Sequence, residues 1–214
     1  MDPLEQRRHE EKERRRDAIV DAAEVVFGSK GYEQATMEQV AREARVSRAL
    51  VYLYFKDKLE LHLAVCTRGL HMLRERFVRA AETETRGADR VTALGREYMR
   101  FAADQPTYFA ALSRFEAHRP DASEPGSIEA LCLSAGLAVH EVTVAALQAG
   151  QADGSVRSDL GNPLLVAITL WGFVHGSLQI ATTKGPAVEA SGVGVQDFLE
   201  TALAIAQRGI ASTG

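Results

Sequence analysis

Apolar residues recur at helical spacing along nearly the whole chain, and no stretch of useful length alternates with the two-residue period of a strand. Ile19, Ala22, Ala23, Val26 and Phe27 share one face of a first helix. Lys30-Gly31 should end it, because glycine takes the left-handed cap conformation cheaply. Thr36 followed three residues later by Gln39 is a capping-box pattern, and Met37, Val40, Ala41 and Ala44 form the buried stripe of a second helix. Arg45-Val46 makes a turn. Ser47 suits the N-cap of a third helix, with Val51 and Phe55 inward one turn apart. Asp57 can cap a fourth, which carries Leu59, Leu61, Leu63, Val65, Leu70, Leu73 and Phe77 to about Glu82. Residues 1–10 are polar and read as a mobile tail.

The remainder is helical too. A loop over residues 83–89 precedes a helix from Arg90 to about Asp104 with Val91, Leu94, Tyr98 and Phe101 on its apolar face. Pro106 starts another, with Tyr108, Phe109, Leu112 and Phe115. The prolines and glycine of residues 119–127 predict a loop. A long helix follows from Ile128 to about Ala149, then a turn-rich link over residues 150–161. Pro163 opens a very apolar helix to about Thr183, residues 184–192 read as a loop, and a last helix carries Val195, Phe198, Leu199, Ala202, Leu203, Ala206 and Ile210. The predicted fold class is all-α, with no internal repeat.

Composition narrows the function. The 214 residues are 46% apolar and 25% charged, as in a soluble globular protein. The net charge is -4, and the first 60 residues hold 12 Lys+Arg against 13 Asp+Glu. Bulk charge therefore gives no support to nucleic-acid binding, and any such contact must come from local placement. Arg45 to Lys58 supplies a small patch of that kind, four basic residues and one acid. Cys66 and Cys132 match no zinc spacing and read as reduced, buried thiols of a cytosolic protein. The histidines show no HxxxH or HxH pairing, so neither a metal site nor a cofactor is predicted. The N-terminus is charged rather than apolar, which argues against a secretory signal. The uncharged run 160–183 is long enough to span a membrane, but Asn162, Pro163, His175 and Gln179 favour a buried helix and no membrane partner. No GxSxG, phosphate loop or dinucleotide fingerprint is present, so no enzyme is predicted.

The specific signal lies in residues 36–58. With Val51 and Phe55 inward, Arg48, Ala49, Tyr52 and Leu53 point elsewhere, and Tyr54 and Lys58 sit at the far end. Tyrosine hydroxyls and lysines hold phosphates, and arginine reads guanine edges. Two short helices joined by a tight turn, the second so equipped, have the layout of a helix-turn-helix.

From Gly31 to Lys58 the chain reads GYEQATMEQVAREARVSRALVYLYFKDK. This resembles the DNA-binding domain of the TetR family of bacterial transcription regulators, with its GY-x-x-AT, VA, VS and Y-x-YF-x-x-K positions. By motif the resemblance covers residues about 13 to 65. Beyond that it is looser: a helical remainder, a Val-Arg-x-Asp-Leu turn at Val156 to Leu160, and Trp171 to Gly176 on a late helix.

The resemblance implies a DNA-binding domain over residues 11–58 and a helical ligand-binding and dimerisation domain over residues 59–214. It further implies a homodimeric repressor on a palindromic double-stranded operator, released by a small apolar effector. Thr36 would contact phosphate and Ser47 would cap the recognition helix. Arg48 and Ala49 would face base edges, and Tyr52, Tyr54 and Lys58 would hold phosphates. Glu38 lies where some members make a base contact. Arg14 to Arg16 supply an arm or merely a solvated helix start. Two positions depart from the family pattern. Arg45 replaces the usual turn glycine, which either costs turn strain or is met by a turn of negative φ, and it could add a phosphate contact. Leu50 replaces a small polar residue, to read a thymine methyl or simply to pack.

Phe101, Phe109, Leu112, Phe115, Cys132, Trp171 and His175, with Tyr108 and Leu131, are candidates for an effector cavity; each taken singly is an ordinary core residue. Arg114, Glu116, His118 and His140 are either polar anchors or a solvated face. The resemblance makes Trp171, Gly172, Gly176, Phe198, Leu199, Ala202 and Leu203 the dimer interface, a four-helix bundle across a two-fold axis; the other reading is internal packing only. Arg45 and Leu50 keep a competing class open, a helical small-molecule-binding or catalytic protein that has lost specific DNA binding.

Overall fold

The computed structural model describes residues 2–117 and 124–212. Among them the chain forms nine helices: α1 (Pro3–Gln34), α2 (Met37–Glu43), α3 (Arg48–Tyr54), α4 (Lys58–Glu82), α5 (Gly87–Asp104), α6 (Pro106–Glu116), α7 (Ile128–Ala152), α8 (Pro163–Ala190) and α9 (Val195–Ile210). No strand forms among the described residues; one isolated bridge pairs Val156 with Ala211. His118 and part of the expected 119–127 loop lie outside the described residues.

Several boundaries differ from expectation: α1 runs on to Gln34 past a non-helical Gly31 (φ 74), and α7 runs to Ala152 rather than about Ala149. Residues 3–10, expected as a tail, are helical. Asp2 caps α1 through the Leu4 N–H, Glu5 reaches back to the Asp2 N–H, and Pro3 takes the first helical position. That signal was local, but the segment lacks an apolar stripe. α5 starts at Gly87 rather than Arg90, for a reason remote in sequence. Its first N–H groups are capped by the link after α7: Gly87 donates to the Asp153 carboxylate at 2.7 Å and Ala88 to the buried Ser155 hydroxyl at 3.0 Å. Gly87 also packs on Gly150 so closely that a Cβ would stand 2.0 Å from the Gly150 nitrogen. α8 continues through Pro186 to Ala190 instead of ending near Thr183. Gly185 before the proline has no Cβ to clash with its ring, so the helical conformation survives there.

The chain divides into two compact units, residues 1–69 with 106–133 and residues 70–105 with 134–214. In the first, α1 packs on α2 and α6, and α2 on α3, around Ile19, Ala23, Val40, Val51, Phe55, Leu61 and Leu112. In the second, α8 packs on α9, and α5 on both, around Leu73, Tyr98, Phe101, Leu147 and Leu178. Each fully buried Leu or Phe contributes about 1.5–3 kcal/mol relative to exposure. Two helices, Ile128–Ala152 and Pro163–Ala190, are long and apolar enough by length and composition to cross a membrane.

Candidate nucleic-acid interface

The first unit builds the motif from its caps upward. Thr36 Oγ1 accepts from the Gln39 N–H at 3.2 Å and Gln39 Oε1 from the Thr36 N–H at 3.1 Å, the full capping box expected. The turn places Arg45 at φ 56, so the chain takes the left-handed conformation with an arginine where glycine would be unstrained. Ser47 Oγ then accepts from the Leu50 N–H at 3.2 Å and starts α3. Val51 and Phe55 are buried beneath it, and the Arg16 guanidinium lies 5.3 Å from the Phe55 ring centre, tying α1 to this end.

What α3 leaves outward is Arg48, Ala49, Tyr52 and Leu53. Arg48 is not loose: its guanidinium lies 3.5 Å from the Tyr52 hydroxyl and 5.4 Å from that ring's centre. An arginine fork, a methyl, a phenol and a leucine thus share one exposed face, the mixture that serves guanine edges, thymine methyls and phosphates. Leu53, 78% exposed, was absent from the expected contact set, although helical spacing alone puts it on this face. Leu50 is half-buried, so packing accounts for part of that departure. Thr36 and Glu38 are exposed and Tyr54 half-buried. Tyr54 shares a groove with Leu4, Arg7, Arg8, Glu11, Lys12 and Arg15 of α1, a basic rim that the tail reading had hidden.

Lys58 is placed differently from its expected role. Its ammonium donates to the carbonyls of Tyr32 (2.8 Å), Ala35 (3.1 Å) and Glu33 (3.3 Å) and sits 4.3 Å from the Tyr32 ring centre. An ammonium has three N–H groups, and all three are committed inside the protein. Lys58 therefore closes the carbonyl end of α1 against the start of α4, where the phosphate role would need a free donor. Arg114 stacks on Tyr32 at 3.8 Å and pairs with Glu33, completing the same cluster.

The expected effector residues fall into two groups. Phe109, Leu112, Phe115 and Cys132 belong to the first unit and are buried there, while Leu131 is exposed. Tyr108, also buried, donates to the Glu24 carboxylate, and burial pushes its phenol well above the usual range. Cys66 and Cys132 are both buried and free.

Phe101, Trp171 and His175 belong to the second unit. Trp171 stacks on Tyr98 at 4.4 Å, and Tyr98 hydrogen-bonds His175 Nδ1 at 2.7 Å. Burial drives the His175 and His140 imidazoles toward the neutral form, so His175 Nδ1 can accept from the phenol. Beside this stack is a cavity of about 50 Å³ lined by Phe77, Leu94, Tyr98, Thr143, Trp171 and Leu203, among others. Ligand pockets are typically several hundred Å³, so an effector here must displace side chains.

The expected dimer set is split between the inside and the outside of the chain. Ala202 and Leu203 are buried within the chain, and Leu203 and Trp171 line the cavity. Gly172 lies on an outward stripe of α8 with Leu165, Ile168, Phe173 and Ile180, and Gly176 is half-buried beside it. A Cβ at Gly172 or Gly176 would meet nothing within 4 Å. Among the described residues no cluster of three or more metal-ligating side chains occurs.

Comparison with known proteins agrees with this geometry. Residues 19–65 match the family model described as bacterial regulatory proteins, tetR family, and residues 91–204 match the tetracyclin repressor-like C-terminal domain. The chain is 40% identical over 111 residues to the HTH-type transcriptional regulator BetI of Rhizobium meliloti (strain 1021), covering 50% of this chain and 54% of BetI. It is 37% identical over 82 residues to the HTH-type transcriptional activator FasR of Mycolicibacterium smegmatis, covering 38% and 37% respectively. The chain thus spans about half the length, or less, of these curated relatives. A solved protein of unknown function from Rhodococcus sp. RHA1 superposes with a TM-score of 0.73 at 25% identity, over 92% of this chain and 95% of that one. With one family model over the helix-turn-helix segment and another across more than half of the chain, this protein belongs to the tetR family of bacterial regulatory proteins.

Proposed function

We propose that the chain is a ligand-responsive, DNA-binding transcriptional repressor that acts as a homodimer on a palindromic operator. Residues 11–58 read DNA, and residues 59–214 sense a small apolar molecule and dimerise. One observation carries the reading: a double-capped helix pair leaves Arg48, Ala49, Tyr52 and Leu53 together on the exposed face of α3. Arg48 takes a guanine edge, Ala49 and Leu53 take thymine methyls, and Tyr52, Tyr54 and Thr36 hold phosphates. The basic rim of α1 beside Tyr54 adds phosphate contacts. The apolar stripe of α8 is an interface with a second copy; this accounts for a face that would otherwise leave leucine, isoleucine and phenylalanine in water. Catalysis is no part of the proposal.

The effector acts by population shift, favouring a conformation in which the two recognition helices no longer match successive major grooves, about 34–36 Å apart. It enters the cavity beside Trp171 and Tyr98, whose aromatic walls favour an apolar occupant.

Binding to the DNA flanking the protein's own gene, followed by gel shift over a salt series, tests the reading. Arg48→Ala should cost about 1–3 kcal/mol at one base position and relax preference there. Lys58→Met should lower folding stability by about 1–3 kcal/mol, by orphaning the carbonyls it serves, and leave the salt slope of binding unchanged. Absence of any saturable, sequence-preferring complex at low salt rejects the regulator reading.

A further inference from the structure

Within the second unit, the end of α4 and the middle of α5 turn guanidinium groups toward one groove. Its volume is about 350 Å³, and its lining includes Arg76, Arg79, Thr83, Glu84, Arg96, Glu97 and Arg100. The only other lining residues are Ala80 and Ala93, whose small side chains leave the floor open. Two of the arginines are ion-paired, Arg76 with its side chain largely buried and Arg100 with its side chain 67% exposed. Glu97 is buried and pairs with Arg76 at 2.5 Å and Arg100 at 3.2 Å, and Asp104 holds the other arm of Arg76 at 2.8 Å. Arg76 is thereby held with its side chain only 15% exposed.

The other two are not fixed. Arg79 and Arg96 are exposed and have no ion-pair partner among the described residues. Arg96 and Arg100 stand at i,i+4 spacing, where like charges destabilise a helix by about as much as an ion pair there would stabilise it. The chain as a whole carries a charge of -4, so this crowding of arginines is local. A groove with two paired and two free guanidinium forks, and almost no apolar wall, suits an occupant unlike the one fitted by the cavity beside Trp171.

We propose that this groove is a binding site for a small polyanion bearing phosphoryl groups. Arginine forks match phosphoryl oxygens bidentately, and a charge near two needs more than one fork, which favours phosphoryl over a single carboxylate. Arg76 provides a preorganised floor with Arg100 paired beside it, Arg79 and Arg96 close on the ligand, and Glu97 acts as the positioning residue that holds Arg76.

Isothermal titration of the full chain at constant ionic strength tests this, with pyrophosphate in one arm and inorganic phosphate in the other. Saturable one-to-one binding of at least one probe is expected, weakened about tenfold by Arg79→Ala or Arg96→Ala and unaffected by Arg48→Ala or Arg74→Ala. The probe that binds identifies the phosphoryl class. The proposal is overturned by lack of saturation with both probes. It is equally overturned if Arg74→Ala weakens binding as much as the groove variants, or if Arg48→Ala abolishes it, which would put the anion on the DNA-reading face. Arg48, Arg74, Arg79 and Arg96 are exposed, and circular dichroism of each variant reports whether its helices are intact.

Discussion

At Arg45 the backbone turns left-handed, and an arginine side chain bears the consequence. The left-handed conformation costs a non-glycine residue roughly 1–2 kcal/mol. Glycine relieves that strain but gives back part of the gain through a more flexible unfolded chain. Arg45→Gly should therefore raise stability by about 0.5–1 kcal/mol, seen as a higher urea midpoint at unchanged slope. A lower midpoint would mean that the guanidinium makes a compensating contact. The arginine's type and position were plain in the sequence; whether the turn used positive φ was not, because a non-glycine residue is compatible with either choice. The same holds at Lys58, whose partners Tyr32, Glu33 and Ala35 precede it by more than twenty residues.

At the level of elements, helix starts fall into two kinds. α1, α2, α3 and α8 are capped by the residue just before them, Asp2, Thr36, Ser47 and Asn162. Such caps can be read from a few neighbouring letters. α5 is capped from across the sequence by Asp153 and Ser155, and its start was misjudged for that reason. Ser155→Ala removes a buried acceptor from the Ala88 N–H and should destabilise by about 1 kcal/mol, read by chemical denaturation, with the loss localised to α5 amides in hydrogen exchange. Asp153 adds a pH dependence. Hydrogen bonds from the Ser155 side chain, the Gly87 N–H and the Ser155 N–H hold its carboxyl below the ordinary value of 3.8. A carboxyl depressed in the folded state contributes stability above its unfolded pKa and loses it as pH falls through the folded one. The denaturation midpoint should therefore drop below about pH 4, and less steeply in Asp153→Asn.

For the whole molecule, the proposed assembly rests on the exposed α8 stripe. Gly172 faces open space in the single chain, so a larger side chain there fits the protomer and even favours its helix. Across a close helix pair the same side chain would clash. Gly172→Leu should leave the monomer fold and its thermal stability intact while shifting sedimentation toward monomer and weakening operator binding. A variant that remains dimeric would remove α8 from the interface.

The sequence by itself determined the all-helical class, the capped helix pair and the exposed face of α3. These rest on local periodicity and caps within a few residues, which the backbone must satisfy wherever the segment lies. Only the tertiary structure decided which residues share a unit, and so divided the expected effector set between Leu112 and Trp171. It turned Leu203 inward to the cavity, left Leu165 and Phe173 outward, and spent the Lys58 ammonium on backbone carbonyls. Those outcomes depend on partners distant in sequence, whose approach no local pattern encodes.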